Sequence, residues 1–372
     1  MYKFHTIIIV FISFSSIGQT SSDTTNSWDK KPTLELSGFI DAFYVYDFNQ
    51  PKSGIRQAFL YNHNRHNEFN INLAFLKFAA SHEKYRANLA LNAGTYSNDN
   101  YAAEPGVLKN IFEATIGLAL DKKNKLWLDA GIMPSHIGFE SAISSDNMNL
   151  TRSLLAENSP YFLAGVKLTY APNDKIELAG LVVNGWQRIQ RLNGNSMLSF
   201  GSQLKYTPTE KVTINWSTFI GTDDPDSLRR MRYFSNLYSQ INFTENVAFI
   251  AGFDVGMQQK FKNSTEQNIW LSPVIIAQFT LNNHWKTAIR GEYYEDKAGV
   301  IIPTGTFNGF MTSGVSVNVD YAPTENILCR LEGRWLNSKD KIFESNASTF
   351  SNNNFILGAS IAIKFAQTLK NN

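Results

Sequence analysis

Five histidines beyond residue 60 and one cysteine are the residues of this chain best suited to catalysis or metal binding. His63 and His66 stand three apart with Glu68 beside them, a spacing zinc accepts, but the neighbourhood offers no third and fourth ligand. They read as solvated loop residues. His136 follows Ser135 and precedes Ser141, yet no acidic residue is placed to orient it as a triad base. His82 and His284 sit in short polar turns, away from the other three. Cys329 is alone, which excludes an intrachain disulfide and a cysteine-based zinc cluster. No glycine-rich phosphate loop leads from a strand into a helix; the glycines fall inside strands, where packing or curvature explains them. The sequence therefore predicts no cofactor, no metal and no catalytic residue. An outer-membrane barrel enzyme, the opposing reading, would need an acid–base or nucleophile constellation at a rim.

The remaining chemistry is electrostatic. Residues 134–159 carry Glu140, Asp146, Arg152 and Glu157 together with apolar anchors at Ile137, Phe139, Leu150, Leu154 and Leu155. A wholly solvated loop has no use for such anchors, so this segment is expected to fold into a lumen and narrow it. The other reading is an external loop packed on its neighbours. Folded inward, Glu140, Asp146 and Glu157 would oppose Arg290, Arg330 and Arg334 across a pore, with Lys167 also inward and Arg152 breaking the sorting. Opposed charges of this kind tune which ions pass. Neutralising the three wall arginines is then expected to shift selectivity toward cations.

Those charges need elements to hold them, and the pattern is β throughout. Trp285, Thr287, Ile289, Gly291 and Tyr293 alternate with Lys286, Ala288, Arg290, Glu292 and Tyr294, and similar alternation recurs after residue 30. Period two alone suits a soluble sandwich or a membrane barrel equally well. The connections separate them. Short polar turns near residues 82–84, 121–124, 172–174, 208–210, 244–246, 282–283 and 323–326 alternate with long polar connections near 48–67, 97–109, 134–159, 186–196, 222–231, 258–268, 296–308 and 337–353. Seven short and eight long connections join sixteen strands, with both chain ends on the short-turn side. Short turns at one rim and long loops at the other describe an all-β transmembrane antiparallel up-and-down barrel. Tyr44, Tyr46, Tyr170, Tyr206, Trp216, Trp285, Tyr293, Tyr321 and Trp335 fall near strand ends on the apolar face, where interfacial girdles belong. Two strands fit less well. Lys77 shares a face with Phe69, Ile71, Leu73 and Phe75 and would have to snorkel to the rim, and Tyr233–Phe243 has a poor apolar face.

Composition agrees. Lys plus Arg number 34 and Asp plus Glu 32, a near balance that argues against a nucleic-acid partner. Lys3 followed by an apolar run from Thr6 to Phe14 and small residues at Ser16 and Gly18 reads as an export signal over 1–18. Residues 19–32 form a polar lead-in, 33–366 the barrel and 367–372 a tail. Sixteen strands leave a water-filled lumen, here lined by both signs of charge, so ions and small polar solutes are the expected cargo.

The segments Ser37-Gly38-Phe39-Ile40-Asp41-Ala42-Phe43-Tyr44, Gly131-Ile132-Met133-Pro134 with Gly138-Phe139-Glu140, Thr151-Arg152-Ser153 with Tyr161-Phe162-Leu163-Ala164-Gly165-Val166-Lys167, Val183-Asn184-Gly185-Trp186-Gln187, and Arg290-Gly291-Glu292-Tyr293-Tyr294-Glu295-Asp296 resemble the OmpL-like family of outer-membrane β-barrel porins. They are scattered along nearly the whole mature chain in family order. The resemblance implies passive transport through the outer membrane of a Gram-negative bacterium, contact with membrane lipid, and assembly by the barrel-assembly machinery. By analogy with barrels of this size, a homo-oligomer is expected. The chain departs from the aromatic C-terminus that such machinery reads, with Phe365 as the substitute. A substrate-specific channel with Trp186, Tyr161 or Phe139 at its constriction, and an adhesin displaying its long loops, are the competing functions.

Overall fold

The computed structural model describes Trp28 and residues 30–369 other than 347 and 348; the export signal and most of the polar lead-in lie outside the described residues. Strands β1 (Thr33–Asp47), β2 (Phe69–Ser81), β3 (Tyr85–Ala93), β4 (Ile111–Ala119) and β5 (Leu126–Pro134) open the barrel, with helix α1 (Thr95–Asn100) between β3 and β4. A single helical turn, α2 (Leu154–Glu157), precedes β6 (Phe162–Asn173), β7 (Ile176–Val183), β8 (Ser199–Thr209), β9 (Val212–Gly221) and β10 (Arg232–Asn242). Then come β11 (Val247–Gln259), β12 (Gln267–Thr280), β13 (Trp285–Asp296), β14 (Phe310–Thr324) and β15 (Ile327–Ser338). The last long connection carries a small hairpin, β16 (Phe343–Glu344) with β17 (Phe350–Ser351), and β18 (Asn353–Leu369) ends the described chain. Sixteen strands close into one antiparallel barrel, each beside its neighbour in the chain, with β18 pairing β1 from Leu34↔Leu369 to Asp47↔Ile356. Closure leaves no unpaired edge, which a sheet surrounded by hydrocarbon requires.

The alternation read from the sequence sorts the side chains. On β14, Val315, Val317, Val319 and Tyr321 are exposed on the outer face, while Ser316, Asn318 and Asp320 are buried inside. β15 repeats this with Leu331 and Trp335 outside and Arg330, Glu332 and Arg334 within. The apolar outer face meets lipid and the polar inner face finds its partners in the lumen. β10, whose outer face reads poorly, keeps its parity: Phe234 and Asn236 are buried, and the outward Ser235 hydroxyl accepts from Trp216 Nε1 at 2.9 Å.

β2 corrects one expectation. Between Asp41 and Ala42 of β1 the register slips: Asp41 pairs Leu73, but Ala42 pairs Ile71. Asn72 is the extra residue of a β-bulge, and one extra residue sends everything beyond it to the opposite face. Phe69 and Ile71 therefore face outward while Leu73, Phe75 and Lys77 face inward. Lys77 does not snorkel. Its ammonium pairs with Glu113 of β4 at 2.6 Å inside the lumen. The C-terminal boundary also moves, because β18 continues to Leu369 and residues 367–369 are strand, not tail. Phe365 lies over Gly38 of β1 so closely that a Cβ there would fall 2.3 Å from the ring.

Candidate functional site: a loop threaded through the lumen

The connection from β5 to β6 leaves the wall at Pro134 and returns at Phe162, its base closed where Ser135 N donates to Tyr161 O at 2.9 Å. Between these points it runs inside the barrel. His136 accepts two bonds at its carbonyl, from Gln203 Nε2 at 3.1 Å and Ser217 Oγ at 2.7 Å, and its ring Nε2 lies 2.8 Å from Thr218 O. Gly138 N donates to Asn236 Oδ1 at 3.1 Å. Two wall glycines make room for the loop. A Cβ on Gly201 would fall 2.8 Å from the His136 ring, and one on Gly252 would fall 2.5 Å from the Phe139 ring. Both glycines serve close approach of a second segment, a common use of glycine within strands.

The tip is fastened to the opposite wall by arginine. Arg330 donates to the carbonyls of Ser144 (2.6 Å), Asn147 (2.9 Å), Met148 (3.1 Å) and Asn149 (3.1 Å), and its Nε and NH2 grip Asp320 at 2.8 and 3.0 Å. Arg290 donates to Thr151 O at 2.5 Å and pairs with Glu332 at 3.2 Å, while Thr151 N and Oγ1 donate to the same Glu332. Arg334 pairs with Glu292 at 2.7 Å, and Glu292 in turn accepts from Leu154 N at 2.6 Å. α2 begins at Ser153, whose hydroxyl caps Ala156 N at 3.2 Å. Glu140 accepts from both the backbone N–H and the hydroxyl of Ser153, which ties the descending limb to the ascending one. Glu157 accepts from Tyr61 N (2.9 Å) and Asn62 N (3.3 Å) of the first long connection and pairs with Arg152 at 3.2 Å. Arg152 lies 3.2 Å above the centre of the Tyr161 ring.

This arrangement revises the expected electrostatics. The structure brings Glu140 within 3.9 Å of Arg290, but Asp146 pairs with Lys364 of β18 at 2.8 Å, and Glu157 pairs within the loop. Arg290, Arg330 and Arg334 are 0–3 % exposed. They do not face acids across open water; they are locked at contact distance to carboxylates and loop carbonyls, so no transverse field crosses a wet gap between them. Arg152 is likewise consumed within the loop. Lys167 stands apart on the inner face of β6, opposite Asp129 of β5. His63, His66 and Glu68 engage separate partners: His63 Nε2 meets Asp41 at 2.8 Å, His66 Nδ1 accepts from Asp47 N at 2.9 Å, and Glu68 pairs with Arg65.

Other connections also turn inward, which the sequence reading missed. Phe59 and Leu60 of the first join Ile137 and Leu154 of the third, Ile302 of the seventh and Phe343 of β16 in one buried cluster. Wall residues Phe219, Phe234, Trp270, Phe310 and Leu336 complete it. Tyr96 and Tyr101, from the second connection, pack with Phe39, Leu73 and Phe162. The half of the lumen nearest the long connections is thus filled by side chains. The signal was present in the sequence: apolar residues such as Phe59-Leu60 and Tyr96 stand in otherwise polar connections, as in residues 134–159.

Toward the short-turn rim the inner face is more open, with Lys205 of β8 and Lys286 of β13 exposed. Two cavities flank the loop. One of about 430 Å³ lies between the tip and Lys286, Asn326 and Lys364. The other, about 340 Å³, lies between residues 137–143 and Phe75, Lys77, Phe112 and Glu113 of the β2–β4 wall.

Residues 33–365 match the model of a family described as putative beta-barrel porin-2, OmpL-like. No curated protein matches the chain. Among solved structures, the anion-selective porin from Comamonas acidovorans is similar with a TM-score of 0.61 at 10% identity, covering 90% of this chain and 100% of that one. The outer membrane channel DcaP of Acinetobacter baumannii gives 0.60 at 10% identity, over 90% of this chain and 98% of that one. In-vitro folded OmpT of Vibrio cholerae, in its trimer form, gives 0.58 at 8% identity, over 90% and 100%. At such identities the likeness is one of fold.

Proposed function

The chain belongs to the OmpL-like β-barrel porin family, and from that membership we propose that it carries ions and small polar solutes passively across the outer membrane of a Gram-negative bacterium, with the β5–β6 connection as its constriction. As a porin it is a non-enzymatic channel of the outer membrane. The observation that carries the constriction is the fastening of the loop tip inside the barrel. Arg290, Arg330 and Arg334 hold residues 144–154 against β13–β15, Ser144 Oγ donates to Asp41 of β1 at 2.7 Å, and a cavity of about 340 Å³ remains between residues 137–143 and the β2–β4 wall. The route along that wall is lined by the pairs Lys77–Glu113 and Arg86–Asp129. In each the cation is the more exposed member: Lys77 29% against Glu113 10%, and Arg86 41% against Asp129 13%. That asymmetry supports a weak preference for anions.

Single-channel recording of the purified protein in a planar bilayer tests the reading, once a heat-modifiable band has shown the barrel to be folded. Small, discrete, long-lived steps are expected. Silence from folded protein would overturn passive diffusion and bring the adhesin forward. Steps grouped in threes would support a homo-oligomer, as in the trimer form of Vibrio cholerae OmpT.

A further inference from the structure

The cavity beside β2–β4 has a composition that a plain diffusion path does not require. Lys77 and Glu113 form its charged end, their pair closed at 2.6 Å, and Glu113 also accepts from Thr115 Oγ1 at 3.3 Å. Aromatic residues form its apolar part. Phe75 and Phe112 stack with centroids 5.2 Å apart and planes 9° from parallel. The loop side brings Glu140 and Tyr161 to the same space: Glu140 Oε1 lies 3.9 Å from Arg290, and Tyr161 Oη is buried with no hydrogen-bond partner among the described residues. A buried hydroxyl left unpaired carries a desolvation cost that a suitable ligand relieves. A volume of about 340 Å³ lies within the range of small-molecule sites.

We propose that this cavity is a binding subsite for a small zwitterion with an apolar body, of the amino-acid kind. The proposal deepens the porin reading and rests on the route along β2–β4. The ligand's carboxylate meets the Lys77 ammonium and the Tyr161 hydroxyl; its ammonium meets Glu113; its apolar body lies among Phe75, Phe112 and Ile143. A neighbouring cation and anion complement a molecule that carries both charged groups on one carbon, and each lost charge forfeits a charge-assisted hydrogen bond. The ring arrangement disfavours a sugar, which stacks on an open aromatic face. Phe75 lies between Phe112 and Phe39, Phe112 between Phe75 and the edge of Tyr96, and Tyr161 is covered by the Arg152 guanidinium.

Calorimetric titration of the folded, detergent-solubilised protein with L-phenylalanine, 3-phenylpropanoate and phenethylamine tests this, with glucose as the sugar probe. Phenylalanine is expected to bind, and each single-charge analogue to bind about tenfold more weakly or worse, since a hydrogen bond to a charged group is lost. Lys77→Gln should abolish the preference over phenethylamine and Glu113→Gln the preference over 3-phenylpropanoate, both variants being checked for folding by heat-modifiability. Should either variant misfold, the analogue series on the unaltered protein decides alone. Equal affinities for the three aromatic probes, tighter binding of glucose, or no phenylalanine binding by folded protein overturns the proposal. Titration needs no current, so conducting channels without phenylalanine binding refute the subsite and leave the porin reading standing. Phenylalanine binding by a silent barrel refutes free diffusion instead.

Discussion

Arg330 shows how a buried charge can fix a loop. Its planar fork supplies five N–H donors in set directions, and here they serve four loop carbonyls, those of Ser144, Asn147, Met148 and Asn149, and a two-point grip on Asp320. A lysine could not reproduce that geometry. Arg330→Met leaves Asp320 buried without its cation and strips the loop carbonyls, a loss on the order of 3–5 kcal/mol for a broken buried pair. The expected outcome is release of the tip and a larger single-channel step than in the unaltered protein; an unchanged step would show that the loop does not obstruct the path. Arg56 is the opposite case. It is buried in the first long connection, donates through NH1 to His63 O, and leaves Nε and NH2 without hydrogen-bond partners among the described residues. Burial pushes its pKa down to about 10, against the pull of Asp47. Because the charged form is the disfavoured one, removing the charge removes a penalty, and Asp47 keeps its bonds from Asn49 N and Asn354 Nδ2. Arg56→Met should therefore hold or raise the midpoint of heat-modifiability. A fall of many degrees would mean that the guanidinium has a stabilising partner.

At the scale of the element, the strands were readable because their side-chain period is local, and the errors arise where that period breaks. In β2 the Asn72 bulge inverts the face of Phe69 and Ile71 relative to Lys77. Asn72 earns its place through the loop above it: its side chain accepts from His63 N at 2.9 Å. No residue within β2 announces this, since the partner comes from a connection. Cysteine accessibility reports the parity directly. In a Cys329→Ser background, Lys77→Cys should react with a membrane-impermeant maleimide, and Leu76→Cys on the lipid face should stay unmodified. The reverse pattern would remove the bulge from the account. Gly201 and Gly252 make the same point, because only the positions of His136 and Phe139 show why a side chain is missing there.

Across the whole molecule, selectivity depends on which inward charges remain wet. The wall arginines do not, so neutralising them acts through the loop and not through a field. Lys167 and Lys205 stand on the open side of the lumen, opposite Asp129 and Glu177 in the register. Lys167→Gln combined with Lys205→Gln should move the reversal potential in a salt gradient toward cations; no movement would place the selective step elsewhere. The sequence by itself determined the sixteen strands, their up-and-down order, the rim to which each connection belongs, the lipid face of most strands and the inward side of Arg290, Arg330 and Arg334. Each follows from a pattern spanning a few residues, because lipid on one side and water on the other force alternation, and backbone satisfaction forces closure. Tertiary structure alone decided that the arginines are dry, that several connections fill the outer half of the lumen, and that Lys77 has Glu113 as its partner. Those outcomes depend on contacts such as that between Arg330 and Asn149, which stand 181 positions apart. A charge and its solvent are joined only when the chain has folded, and no local period records which loop will take the water's place.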